Sequence, residues 1–275
     1  MLIRRRILLY ALTWLWACQS SPSKEPEKTE VSIDTSSDAE NARVPPHRQL
    51  MVVATPGWDE AQGKMICLAW EDEGWSLVGE PIPILIGKKG LAWGIGIDDC
   101  RSLPGPKKQE GDLKSPAGVF ELGPAFGYAN LDQASFIKLD YMSILGSTMC
   151  IEDGESEWYN RIVDENHTES DWSSTDHMLR RDDLYEWGIM VAHNYSPAES
   201  GAGSCIFVHV WNPKGKGTAG CTSMDKETLK DVLAWIDPED SPLLIQAPYT
   251  ELSRFQMQYQ LPKTLLSHLS GNAGS

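Results

Sequence analysis

Residues 204–221 read SCIFVHVWNPKGKGTAGC, an apolar run that carries a histidine, followed by a glycine-rich loop and a cysteine. The apolar run predicts a strand, whose successive side chains point to opposite faces. On that strand Phe207, His209 and Trp211 share one face, and the aliphatic residues between them share the other. The histidine is therefore expected to be positioned by packing, close to the loop that ends at Cys221.

The sequence after this loop predicts the start of a helix. Thr222 and Ser223 can accept hydrogen bonds from free backbone N–H groups, and Asp225 follows Thr222 at the spacing of a capping box. Cys221 is thus expected at a helix N-terminus, where the dipole favours a thiolate over a thiol. The apolar face of the helix consists of Leu229, Val232, Leu233 and Ile236, and the Asp-Pro pair at 237–238 ends it.

Cys221 and His209 together suggest nucleophilic catalysis. A thiolate needs a base, and His209 lies twelve positions before Cys221, across a loop that can fold back. The N–H groups of Gly220, Cys221 and Thr222 are candidates for an oxyanion hole, because glycine lets backbone approach a reacting carbonyl closely. Each part alone also has a structural explanation, as half of a disulfide or as a core histidine. Their combination favours the catalytic interpretation.

This arrangement resembles the L,D-transpeptidase (YkuD-type) catalytic domain family, whose signature is a histidine on a strand, a glycine-rich loop and Ser/Thr-His-Gly-Cys. The last element here reads TAGC at 218–221. The resemblance covers roughly residues 50–250. Other segments similar to family members are GLAWG at 90–94, KSPAGVF at 114–120, Tyr159 and Asn160 with Asp164, and DWSS at 171–174.

The chain departs from the family pattern close to the cysteine. Ala219 stands where the family usually has histidine, and Thr222, Ser223 and Met224 follow Cys221 where a basic or amide residue is usual. The loop between His209 and Cys221 is also short. These departures affect the expected contacts with a substrate carboxylate more than they affect the nucleophile.

The resemblance implies a mainly β, β-sandwich-like domain with a few short helices. It also implies a peptidoglycan stem tetrapeptide as acyl donor, a thioester on Cys221, and an acceptor amine that yields a 3–3 cross-link or anchors another molecule. If water accepts the acyl group instead, the enzyme is an L,D-carboxypeptidase or endopeptidase. A non-catalytic wall-binding lipoprotein is a third alternative. No organic cofactor is expected. The candidate substrate-binding residues are His193, Trp211, Thr218, Tyr159 and Asn160.

Composition limits the class of partner. The 275 residues include 39 acidic and 24 basic side chains, for a formal net charge of −15. Nucleic-acid binding is therefore not expected, because it needs a cationic surface. The length suits one catalytic domain with short appendages.

The N-terminus predicts an envelope lipoprotein. Residues 1–17 have three arginines followed by a short apolar run, as signal peptides do, and Leu15-Trp16-Ala17-Cys18 is similar to a lipobox. We expect lipidation at Cys18, a disordered polar tether over 18–48, and a periplasm-facing domain. The alternative is an ordinary signal peptide. The outer membrane is favoured over the inner, because no acidic residue follows Cys18 directly.

The domain itself is expected over 49–250, with 251–275 as a peripheral tail. Short apolar runs with Gly and Pro between them predict a β-rich sandwich. The irregular acidic segment 151–187 suits either a binding lid or a solvated loop. The predicted strands are 50–54, 65–70, 75–78, 82–86, 136–139 and 188–194.

The cysteines leave several pairings open. If Cys18 is lipidated and Cys221 is the nucleophile, four remain and permit three pairings. Cys205 lies on the strand of His209 and competes as a nucleophile, but its apolar setting favours a structural role, with Cys150 as the preferred partner. A zinc site from His193, His209, Cys205 and Cys221 lacks the close ligand pairs of compact zinc motifs, so no metal is expected.

Overall fold

A computed structural model describes residues 45–212 and 215–270. The predicted signal peptide, the lipidation site at Cys18 and most of the predicted tether lie outside the described residues. Within the described residues, the first strand begins at Gln49.

The described residues form mainly strands, which confirms the predicted fold class. The strands are β1 (Gln49–Thr55), β2 (Gln62–Glu71), β3 (Gly74–Leu85), β4 (Leu91–Trp93), β5 (Ser115–Gly127), β6 (Tyr141–Ser143), β7 (Thr148–Ile151), β8 (Ile162–Asp164), β9 (Thr175–His177), β10 (Trp187–Val191), β11 (Phe207–Val210), β12 (Thr222–Met224) and β13 (Leu243–Pro248). The helices are α1 (Lys226–Trp235), α2 (Ser253–Gln256) and α3 (Leu265–Ser270).

Ten strands form one sheet, in the order β10-β11-β12-β3-β2-β1-β13-β5-β4, with β6 beside β5. An additional pairing of β10 with β5 closes the sheet around the main apolar core. Strands β1 and β13 run parallel and are buried along their whole length, because their apolar residues are covered on both faces. The site strands β11 and β12 are also parallel neighbours.

Three local expectations differ from the structure. Residues 75–78 and 82–86 belong mostly to one long strand, β3, which pairs with β2. Residues 136–139 follow a turn and form no strand. The C-terminal segment is not peripheral, because it adds two short helices and buried side chains to the main core. Those side chains are Leu252, Phe255, Tyr259, Leu261, Leu265 and Leu269.

A second, three-stranded sheet has the order β8-β7-β9. Two of its strands, β8 and β9, lie within the acidic segment 151–187 that was expected to be irregular. The disulfide Cys150–Cys205 ties its central strand to the residues just before β11. This bond confirms the favoured pairing among the three that the sequence allowed. It joins the small sheet covalently to the strand of His209.

Among the described residues, no helix is both long enough and apolar enough to cross a lipid bilayer.

Removing the disulfide is expected to destabilise the domain. The bond closes a sequence separation of 55 residues, for which loop entropy predicts a loss of roughly 4 kcal/mol in the free energy of unfolding. Urea unfolding of the Cys150→Ala/Cys205→Ala variant measures this loss. Dithiothreitol should destabilise the wild-type chain by a similar amount and leave the variant unchanged. Equal sensitivity of both proteins to the reductant would contradict a stabilising bond.

Candidate active site

The parallel pairing of β11 and β12 brings the predicted nucleophile and base to one region. Val208 lies opposite Thr222 and His209 lies opposite Ser223. Cys221, one residue before β12, is therefore near the start of β11 and packs in one apolar cluster with Phe207. The aliphatic residues of the opposite strand face pack into the main core, as the alternation predicted.

Cys221 does not lie at a helix N-terminus, and the prediction that placed it there is wrong. Thr222–Met224 forms strand β12, and α1 begins only at Lys226. Asp225 is itself the N-cap, and its carboxylate accepts from the N–H groups of the helix's first turn. The sequence was right to predict a helix cap nearby, but the capping residue is Asp225 and not Thr222. The hydroxyl of Thr222 instead donates to Gln246 Oε1. The N-terminus of α1 is therefore not at the thiol.

Two hydroxyl groups hold the backbone of Cys221. Ser115 Oγ donates to its carbonyl oxygen at 3.0 Å, and Thr218 Oγ1 donates to the same oxygen at 2.6 Å. Ser115 also accepts from the N–H of Gly87, and Gly87 forms a β-bridge with Thr218. At Gly217, φ is +109° and a Cβ would lie 2.7 Å from the carbonyl oxygen of Ile86. Only glycine therefore allows the two backbone segments to lie this close.

The thiol of Cys221 is free, buried and protonated at rest. The Phe207 N–H donates to its sulfur at 3.4 Å, and the thiol donates to the carbonyl of Cys205 at 3.5 Å. Burial raises the thiol pKa to about 12, and the Phe207 N–H opposes this only in part. Asp176 and Glu152 raise the pKa further. The thiolate expected from the sequence is therefore not the resting form.

His209 is neutral at rest. Its ring is buried, and this burial lowers its pKa to about 4. Nδ1 lies 2.7 Å from the carbonyl oxygen of Val210, and because a carbonyl oxygen only accepts, this contact favours the tautomer with the proton on Nδ1. In a neutral imidazole, Nε2 then keeps the lone pair that a general base needs. The rings of Tyr185 and His209 pack edge to face, with centroids 5.2 Å apart.

Cys221 and His209 line the same cavity, which has a volume of about 250 Å³. Thr218, a predicted substrate-binding residue, also lines it. Two residues with cationic side chains, Lys88 and Arg180, line it as well. These cations and Tyr185 were missed because their chain segments are remote from the loop at 211–221, and no local spacing links them to it.

The other predicted substrate-binding residues do not line this cavity. Trp211 follows β11 half-buried, and its backbone N–H donates to the Met224 carbonyl. Tyr159 donates from its hydroxyl to Glu110 Oε2 at 2.7 Å. Asn160 is buried and donates to the carbonyl of His193 at 2.9 Å.

His193 and Asn160 organise the segment that leads into β11. His193 is buried, with Nε2 3.0 Å from the Ala202 carbonyl, and burial lowers its pKa to about 4. Asn160 Oδ1 accepts from the N–H of Cys205 at 2.9 Å. Both side chains therefore hold the backbone near the disulfide in place, and this contribution is structural.

The candidate oxyanion donors are partly engaged. The Gly220 N–H donates to Thr218 Oγ1 at 3.1 Å. Thr222 lies within β12, in register with Val208 of β11. Their role in an oxyanion hole stays a prediction, and it requires the Gly220 N–H to leave the threonine hydroxyl when substrate binds.

No group of three or more His, Cys, Asp or Glu side chains suited to a metal ion occurs within 45–212 and 215–270. Of the four side chains considered for zinc, Cys205 is bonded to Cys150.

Comparison with known proteins identifies the family. The model of the L,D-transpeptidase catalytic domain (YkuD) matches residues 68–245, well over half of the chain. The chain belongs to this family. The solved structure of Bd1075 from Bdellovibrio bacteriovorus is similar, with 13% sequence identity and a TM-score of 0.36. The match covers 78% of this chain and 55% of that one, so the chain spans about half of that protein's length. No curated protein sequence matches significantly.

The protonated state of the thiol predicts slow alkylation at neutral pH. Because burial raises the pKa of Cys221 to about 12, iodoacetamide should modify it at least about tenfold more slowly at pH 7 than a free cysteine, whose pKa is about 8.5. The rate should keep rising with pH from 7 to 11. Timed quenching and peptide mass spectrometry give the rates.

Cys67 is the internal reference for this measurement, since burial raises its pKa to about 12 as well. A Cys221 alkylation rate that reaches its plateau below pH 7 would reveal a thiolate–imidazolium pair and contradict the neutral pair.

Proposed function

We propose that this chain is a peptidoglycan L,D-transpeptidase that transfers an acyl group through a thioester on Cys221. One observation carries the proposal: His209 of β11 and Cys221, directly before the neighbouring parallel strand β12, line one cavity, in a domain of the L,D-transpeptidase family. A thiol and a neutral imidazole that face one cavity are the groups that general-base activation of a nucleophile requires.

The proposed reaction starts at the L,D-configured peptide bond of a stem tetrapeptide. Cys221 Sγ attacks the carbonyl carbon while His209 takes the thiol proton. The C–N bond then breaks, the proton passes to the leaving amine of the terminal D-amino acid, and the acyl group remains as a thioester. An amine of a second stem peptide attacks this thioester, forms the new amide and restores the thiol. Proton transfer is coupled to attack, because the resting thiol is not ionised.

Charge within the cavity supports a carboxylate-bearing donor. The chain has a net charge of −15, yet no acidic side chain lines the cavity among the described residues. Arg180 is paired with Asp182 and Asp176. Lys88 is exposed and forms no ion pair in the described part of the chain, so its ammonium is available to a ligand. We assign Lys88 to the terminal carboxylate of the donor stem.

A second candidate function is hydrolysis of the same thioester. The cavity volume of about 250 Å³ lies below the usual range of ligand pockets, about 300–1,000 Å³. It accommodates the end of one stem peptide more readily than two stems. An L,D-carboxypeptidase, which needs room for only one stem and takes water as the acceptor, is therefore the second candidate and uses the same nucleophile and base.

The location of the enzyme is part of the proposal. The signal-peptide pattern and Cys18 support a lipid anchor with the domain facing the periplasm, and the outer membrane is favoured. Stem peptides are accessible there.

Purified chain incubated with muropeptides tests the reaction and its outcome. Mass spectrometry should show cross-linked dimers for a transpeptidase, or monomers shortened by one residue for the carboxypeptidase. Cys221→Ala should lower turnover at least ~1,000-fold, and His209→Ala about 100- to 1,000-fold, because attack loses its nucleophile or its base. Cys67→Ala, which alters another buried free cysteine, is the matched control. Wild-type turnover in Cys221→Ala would end the proposed role of Cys221, and no turnover in the wild-type chain would leave the non-catalytic envelope protein.

Lys88→Met tests the assigned carboxylate contact. The loss of one charge-assisted contact should lower kcat/KM about tenfold, mostly through KM. Lys89→Met removes an adjacent exposed ammonium and should have little effect. A donor whose terminal carboxylate is amidated should make wild type and Lys88→Met equivalent. Unequal rates on that donor would show that Lys88 acts in another way.

A further inference from the structure

Asp176 of the small sheet binds two side chains of the Cys221 cavity. Its Oδ2 accepts from the Tyr185 hydroxyl at 2.6 Å, and its Oδ1 lies 3.4 Å from Nη1 of Arg180. The Asp176 side chain is only 18% exposed. Tyr185 is buried, so its hydroxyl needs this acceptor.

Tyr185 in turn packs on the predicted base. Its ring meets that of His209 edge-on, at 5.2 Å between centroids and 77° between planes. Phe207 and Phe126 hold the other sides of Tyr185, with centroids 5.5 and 5.9 Å away. The hydrogen bond from Nδ1 to the Val210 carbonyl fixes one edge of the imidazole. The edge-to-face contact with Tyr185 then restricts the tilt of the imidazole, because aromatic contacts of this kind have a preferred geometry.

Asp176 is itself held in place by the fold. It lies on β9, in register with Cys150 of β7. Cys150 is bonded to Cys205, whose carbonyl accepts from the Cys221 thiol. The small sheet is therefore linked to the thiol through the disulfide and the Cys205 carbonyl. It is linked to the imidazole through Asp176 and Tyr185.

We infer that Asp176 and Tyr185 are positioning residues for His209, with Asp176 orienting Tyr185 and Tyr185 orienting the imidazole. The inference rests on the proposed role of His209 as base. Neither residue transfers a proton in the reaction. Their contribution is to keep Nε2 aimed along one direction, since a small misplacement of a general base lowers the rate strongly.

The direct test measures the ring of His209 in the full chain without substrate. After selective 15N labelling of histidine, NMR detects the Nδ1–H proton, which His209→Ala identifies by its disappearance. Tyr185→Phe and Asp176→Ala should each accelerate exchange of this proton with water about tenfold. Asp176→Asn keeps an acceptor for the tyrosine hydroxyl and should stay close to wild type. Tyr141→Phe, which removes a hydroxyl bonded to the Ala129 carbonyl, is the matched control.

Turnover gives the second measurement. Tyr185→Phe should lower kcat about five- to tenfold with little change in KM, and should cause no further loss in the His209→Ala background. Unchanged proton exchange in Tyr185→Phe and Asp176→Ala would overturn the inference, as would a Tyr185→Phe loss that is fully additive with His209→Ala. If the wild-type chain has no turnover, the proposed function fails, and the proton exchange rates alone decide the positioning role.

Discussion

The site depends on the parallel pairing of β11 with β12. A shift of this register by one residue would move Cys221 or His209 to the opposite strand face, because side chains alternate along a strand. The register is maintained from both sides. The aliphatic face of β11 packs into the main core, and the Cys221 carbonyl is held by Ser115 and Thr218. Core packing and the position of the sulfur are therefore set by the same strands.

Burial determines the chemical state of the pair. It raises the pKa of Cys221 and lowers that of His209, so desolvation favours the neutral form of both groups. In the mechanism that we propose, such a site keeps the thiol unreactive until a substrate carbonyl arrives. The proposal therefore makes activation a property of the complex with the substrate, in which the rigidity of the imidazole matters more than the charge of the resting sulfur.

The sequence predicted the features that depend on local pattern. The histidine strand, the loop, the cysteine and the apolar face of α1 are contiguous, and the structure brings Cys221 and His209 to one cavity. The sequence could not predict that Lys88, Asp176 and Tyr185 belong to the site, because tertiary packing brings these distant segments together. The helix start was misplaced because Thr222 pairs with β11, and this tertiary contact prevailed over a local capping pattern. The C-terminal segment joined the core for a similar reason: its apolar residues are spaced irregularly but meet one surface.

The central claim is that acyl transfer passes through the sulfur of Cys221. The most direct measurement is intact-protein mass spectrometry of the chain quenched in acid shortly after mixing with a stem tetrapeptide. The account predicts an adduct equal to the donor without its terminal residue, mapped by peptide digestion to Cys221. Product formation without any such adduct, or an adduct on Cys67 or Cys100 instead, would contradict it.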